Sequence, residues 1–127
     1  MIRNPINAPD GPAAAGGYSQ AVAVAGASRL LFISGQIPVG ADGVLPRTFA
    51  DQCRMAWTNI EAQLRAADMT LDNLVKVTTF LSDRKYALEN REVRADVLGA
   101  LAPALTVVIT GIFDEAWLVE IEAIAAA

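Results

Sequence analysis

The sequence predicts an α+β fold, a mixed β-sheet with two helices on one face. Three observations carry the prediction. Short apolar runs rich in β-branched residues recur along the 127-residue chain. Two stretches between them change to a period of 3.6. Each of these stretches joins one strand to another, a crossover that sets strands parallel, while the first two strands are close enough for an antiparallel hairpin.

Residues 1–20 hold Pro5, Pro9, Pro12, Gly11, Gly16 and Gly17, so they read as a loop with a short edge strand near Arg3–Ile6. Loops this long in a compact domain are often functional. Ala21–Val24 reads as a strand turned at Ala25–Ser28, and Arg29–Ser34 as its hairpin partner, ended by Gly35. Pro38, Gly40, Asp42, Gly43 and Pro46 mark a turn-rich crossing. From Phe49, the residues Cys53, Ala56, Trp57, Ile60, Leu64 and Ala67 fall on one helical face, with Thr48 as N-cap. Leu74–Leu81 has strong β character. Ser82 and Asp83 are placed to cap a second helix through Tyr86, Asn90, Val93, Val97 and Leu101, stopped near Pro103. Pro103–Thr110 has the composition of a strand buried on both faces. Leu118–Ala125 alternates, which puts Glu120 and Glu122 on one face. Burying two unpaired acids is costly, so this face lines a polar cleft or meets solvent.

Length fits one domain, residues 1–127, large enough for a core without staples. Charged residues make up 19% of the chain, against about 25% in an average soluble domain. The shortage of polar surface predicts that a partner covers part of the outside, most simply copies of the chain itself. A net charge of −4 argues against nucleic acid as partner. The absence of His excludes an imidazole base, a Ser–His or Cys–His couple and a His metal ligand. Cys53 is the single cysteine, which excludes an internal disulfide and a multi-cysteine metal site and fits a reducing compartment. No apolar h-region opens the chain and no run reaches the roughly 18 residues of a membrane span, so a cytoplasmic protein without membrane contact is expected.

Among candidate residues, Cys53 lies on the apolar stripe and reads as a buried thiol. Gly35 is either a turn glycine or a site where a free backbone N–H meets a ligand oxygen. Tyr18, after two glycines, either covers a sheet edge or lines a pocket. Asn90, with Arg91 and Arg94 nearby, reads as part of a solvated helix face, although Asn inside a helix points to a specific hydrogen bond. Glu120 and Glu122 carry the strongest functional signal, because neighbouring carboxyls in an apolar setting push their titrations apart. Glu120 is then either a general acid/base or an Arg-paired structural acid.

Several segments resemble the RidA (YjgF/YER057c/UK114) family: Gly17–Val22, Ile33–Pro38, Asn59 on its helix, Val75–Asp83, the helix of Asn90, Pro103-Ala104, and Val119–Ala125. They recur in order across nearly the whole chain. The resemblance implies a chorismate-mutase-like fold and a homotrimer whose sheets form a central barrel with ligand clefts between subunits. It also implies hydrolysis of imines and enamines such as 2-aminoacrylate, with no metal and no organic cofactor. By the same resemblance Tyr18, Gly35 and Asn90 are pocket residues, and Glu120 is the acid that handles the attacking water.

Two positions depart from the family's pattern. Val107 stands where members carry a pocket cysteine. Leu105 stands where deaminase members carry Arg, whose fork of donors grips the substrate carboxylate. Losing such a bond costs about 1.5–3 kcal/mol. Leu105 therefore argues against 2-aminoacrylate or another small α-imino acid as substrate, unless Arg91 or Arg94 replaces the lost cation. As plain strand packing, Leu105 would be an ordinary core residue. The expectation is a trimer acting on, or binding, a small metabolite. The alternative is a trimer that kept the fold and lost the chemistry, serving ligand binding or protein interaction. A ribonuclease is the weakest reading, given the acidic balance and the absence of His.

Overall fold

A computed structural model describes residues 1–127. The strands are β1 (Ile2–Ile6), β2 (Ala21–Ala25), β3 (Leu30–Gln36), β4 (Leu74–Leu81), β5 (Ala104–Ile109) and β6 (Val119–Ala126); the helices are α1 (Phe49–Ala66) and α2 (Ala87–Leu98). The α+β class holds. Four strands form a mixed sheet in the order β3-β6-β4-β5, in which only β4 and β5 are parallel.

The expected hairpin between β2 and β3 is not formed. β2 pairs instead with the edge strand β1, in a separate two-stranded ribbon. The amides of Ser28 and Arg29 both donate to the Ala127 carbonyl, at 2.9 and 3.0 Å. The chain leaving β2 is thereby handed to the C-terminal end, and β3 runs antiparallel to β6.

Helix α1 forms where its apolar stripe predicts. Thr48 caps it, accepting from the Asp51 amide at 3.2 Å. Phe49, Cys53, Ala56, Trp57, Ile60 and Leu64 are all buried. They pack with Ile33, Val77, Leu81, Val119, Ile121, Ala123 and the α2 residues Val93 and Leu98 into one core cluster. Both helices thus cover the same sheet face.

Helix α2 is shorter than its sequence pattern. Asp83 caps a single 3-10 turn at Arg84–Tyr86 rather than the helix itself. Gly99, at φ 57°, ends α2 well before Pro103 and leaves Leu101 outside it. Nor is β5 buried on both faces: it is the edge strand of the sheet, and Thr106, Val107 and Ile109 are exposed. No helix is long and apolar enough to cross a membrane.

Candidate functional site

Helix α1 positions α2 through two contacts, one to Tyr86 in the 3-10 turn just before α2 and one to Asn90 within it. The Phe49 ring stacks on Tyr86, with centroids 4.6 Å apart and planes 5° from parallel. One turn on, the Cys53 thiol donates to Oδ1 of Asn90 at 3.7 Å. Asn90 is accordingly 3% exposed. The expectation of a solvated helix face fails there, because α2 turns Asn90 inward toward α1.

Tyr18 reaches the same region through its neighbour. Ser19 donates from Oγ to the Ala102 carbonyl at 2.6 Å and from its amide to the Pro103 carbonyl at 3.1 Å. These bonds lay the end of the N-terminal loop beside the start of β5. Between loop, α2 and β5 lies a cleft of about 390 Å³ lined by Tyr18, Gln20, Ala87, Asn90, Arg91, Arg94, Leu105 and Val107. Four of the six expected site residues meet here: Tyr18, Asn90, Leu105 and Val107. Leu105 is half-buried on the cleft wall rather than sealed in the core.

Gly35 and Glu120 meet elsewhere. Along β6 the residues Val119, Ile121, Ala123 and Ala125 point into the core, while Glu120 is half-buried and Glu122 exposed. Both acids therefore face away from the helices. The β3–β6 ladder is irregular between Ile33 and Gln36, where Gly35 sits. A Cβ built on Gly35 would overlap Oε2 of Glu120 and lie 2.8 Å from its Cδ. Gly35 thus accommodates the Glu120 side chain in its present position rather than serving a turn; a larger residue there would require Glu120 to move. Gln52 fixes the entry to β6: buried, it donates to the carbonyls of Pro46 and Ala116 and accepts from the Leu118 amide at 2.9 Å. Glu120 forms no ion pair, since the chain's single salt bridge joins Arg54 and Asp96.

Cys53 is fully buried, and burial pushes its thiol up to about 12, so it stays protonated and is no nucleophile. Nowhere do three or more His, Cys, Asp or Glu side chains converge. Residues 8–127 match the family described as Endoribonuclease L-PSP. The chain belongs to this family, the RidA group. Its relatives include the 2-iminobutanoate/2-iminopropanoate deaminase of Bos taurus, 35% identical over 127 residues that span 98% of this chain and 90% of the relative. Among RidA-group structures, YyfB of Yersinia pestis superposes with a TM-score of 0.84 at 25% identity and covers 100% of both chains. E. coli TdcF, with bound serine, gives 0.73 at 30% identity over 98% of each chain.

Arg91 and Arg94, the two possible replacements for the lost cation, both line the cleft, whereas Gln20 and Ala87 are cleft residues not singled out from the sequence. Arg94 follows Asn90 by four positions, a spacing that shares one helix face, and that was the available signal. Gln20 gave none, because the loop's path depends on its own Asn7 and Ala13 contacts.

Proposed function

We propose that this RidA-family chain is a homotrimeric enzyme that hydrolyses imines or enamines of small metabolites in clefts between copies. The observation that carries the proposal is the division of the candidate residues between opposite sheet faces. Tyr18, Asn90, Leu105 and Val107 border the cleft on the helix side, whereas Glu120 and Gly35 lie on the open side. One chain does not unite them; the cleft of one copy against the open face of another does. The exposed Phe32 and Leu30 on that open face supply apolar surface for such a contact. The name of the bovine relative supports the reaction class.

In the reaction, an enamine first tautomerises to its imine. Glu120 takes a proton from water as the oxygen bonds to the imine carbon, and the C=N electron pair moves to nitrogen. The proton passes from Glu120 to that nitrogen. Glu120 then carries the hydroxyl proton to the same nitrogen, the C–N bond breaks as the carbonyl forms, and ammonia leaves, so imine and water become ketone and ammonia. Leu105 directs the enzyme away from 2-aminoacrylate and toward substrates held differently. A non-catalytic trimer is the competing reading, and two features weigh against it: Glu120 is in no ion pair, and a cleft lies beside Leu105.

The test is ammonia release from a panel of amino-acid-derived imines and neutral analogues. Activity on at least one, lost in Glu120→Gln, supports the proposal; inactivity across the panel refutes the hydrolase reading. Sedimentation velocity tests the trimer, and a monomer at micromolar concentration refutes it. We assign the protein to the cytoplasm on its lone cysteine, which subcellular fractionation checks. RNA is not a proposed partner, and salt-dependent RNA affinity would overturn that exclusion.

A further inference from the structure

The cleft lacks a guanidinium on β5 but does not lack cations. Arg94 lies on α2 one turn beyond Asn90, and only 6% of it is exposed. It makes no hydrogen bond and no ion pair within the chain, whose single salt bridge lies elsewhere. Arg91 lines the same cleft, and no Asp or Glu does. Together the two arginines also border a smaller cavity of about 260 Å³ behind Gly16 and Gly17. Gly17, at φ +74°, brings the loop close: a Cβ there would lie 3.9 Å from Nη2 of Arg94. Burial first, and the like charge of Arg91 second, lower Arg94 below the ordinary arginine value. The stem of Arg94 is buried, but its nitrogens are not among the fully buried polar atoms that lack a partner, so the guanidinium opens onto the cleft with five donors and no acceptor. The missing partner has the chemistry of an anion.

We propose that Arg94, with Arg91 beside it, is the anion anchor of this cleft, holding a small carboxylate from helix α2 instead of from strand β5. The planar fork of Arg94 suits a carboxylate, and the ligand's apolar part packs on Leu105 and Val107. Only the term substrate rests on the hydrolase reading; the anion site does not. If both hold, the substrate is an imino or enamino acid whose carboxylate points at the helix. Loss of the β5 arginine then marks a moved anchor, not an abandoned one.

The test uses titration calorimetry on the full chain with 2-oxobutanoate and its neutral amide. Wild type is expected to favour the acid by about 10- to 100-fold, the worth of a hydrogen bond to a charged group. Arg94→Met removes that preference and Arg94→Lys keeps part of it, with folding followed by circular dichroism. Equal binding of acid and amide by wild type overturns the proposal, as it would if an acid of a neighbouring copy already neutralised Arg94. An unchanged preference in Arg94→Met overturns it too. If Arg94→Met does not fold, the wild-type comparison and Arg94→Lys decide. Acid-selective binding without ammonia release keeps the anchor and removes the hydrolase. Ammonia release with the same KM in wild type and Arg94→Lys, and no acid preference, does the reverse.

Discussion

The two faces of the four-stranded sheet have different degrees of completion. On the helix side, Ile33, Val77, Leu81 and Ile121 are sealed beneath α1 and α2 within one chain. On the other side Phe32 is 70% exposed, Glu122 meets solvent, and Glu120 stands half-buried over Gly35. The same strands supply both faces, so strand propensity does not separate them. What separates them is cover: the chain has two helices and both lie on one side. Stability of the single chain is invested on that side, whereas the chemistry proposed for Glu120 would sit where packing is unfinished.

Substitutions on each face test this contrast. The largest effect is expected in the sealed core, where Trp57→Ala should cost about 3–5 kcal/mol in urea unfolding. An unfolding midpoint close to wild type would mean that the helix side does not carry the fold. Next comes Glu120→Gln, expected to slow ammonia release by about 100-fold or more with little change in thermal midpoint. Loss of stability in parallel with activity would make Glu120 a structural acid instead. Gly35→Ala forces a Cβ into the Glu120 carboxylate and should cost about 1–3 kcal/mol through overpacking. The double variant Gly35→Ala, Glu120→Ala should recover most of that loss, and failure to recover it would show that the clash lies with the backbone. Smallest of all, the solvent-facing Glu122→Gln should change stability by less than about 0.5 kcal/mol and activity by less than about threefold.

Residue patterns anticipated these features unevenly. Helix α1 was readable because its period of 3.6 and its Thr48 cap agree with one another. The shared face of Glu120 and Glu122 followed from the period of two. Which side that face occupies did not follow, because alternation fixes relative and not absolute orientation. The misplaced hairpin has a similar origin: a glycine turn between Ala25 and Ser28 is local information, while the pairing of β3 is decided by Ala127 at the far end of the chain. The stop of α2 was missed because Gly99 is compatible with a helix interior at modest cost, and only its φ of 57° shows the break. Pro103–Thr110 looked like a doubly covered strand since composition does not reveal an edge position. Arg94 was visible as a charge near Asn90, but its burial depends on the Gly16–Gly17 loop folding back over it.

The parallel pairing of β4 with β5 bears on the order in which these parts acquire structure. Lys76 with Ala104 closes a loop of 28 residues through α2 (104 − 76), while Leu30 with Ala126 closes one of 96 (126 − 30). Short closures form sooner because less chain entropy is lost before contacts repay it. The wall that carries Leu105 and Asn90 should therefore gain amide protection early in refolding, and the β3–β6 ladder beneath Gly35 and Glu120 should gain it late. Pulse-labelling hydrogen exchange would read that sequence directly, and simultaneous protection of both would show a single cooperative step instead.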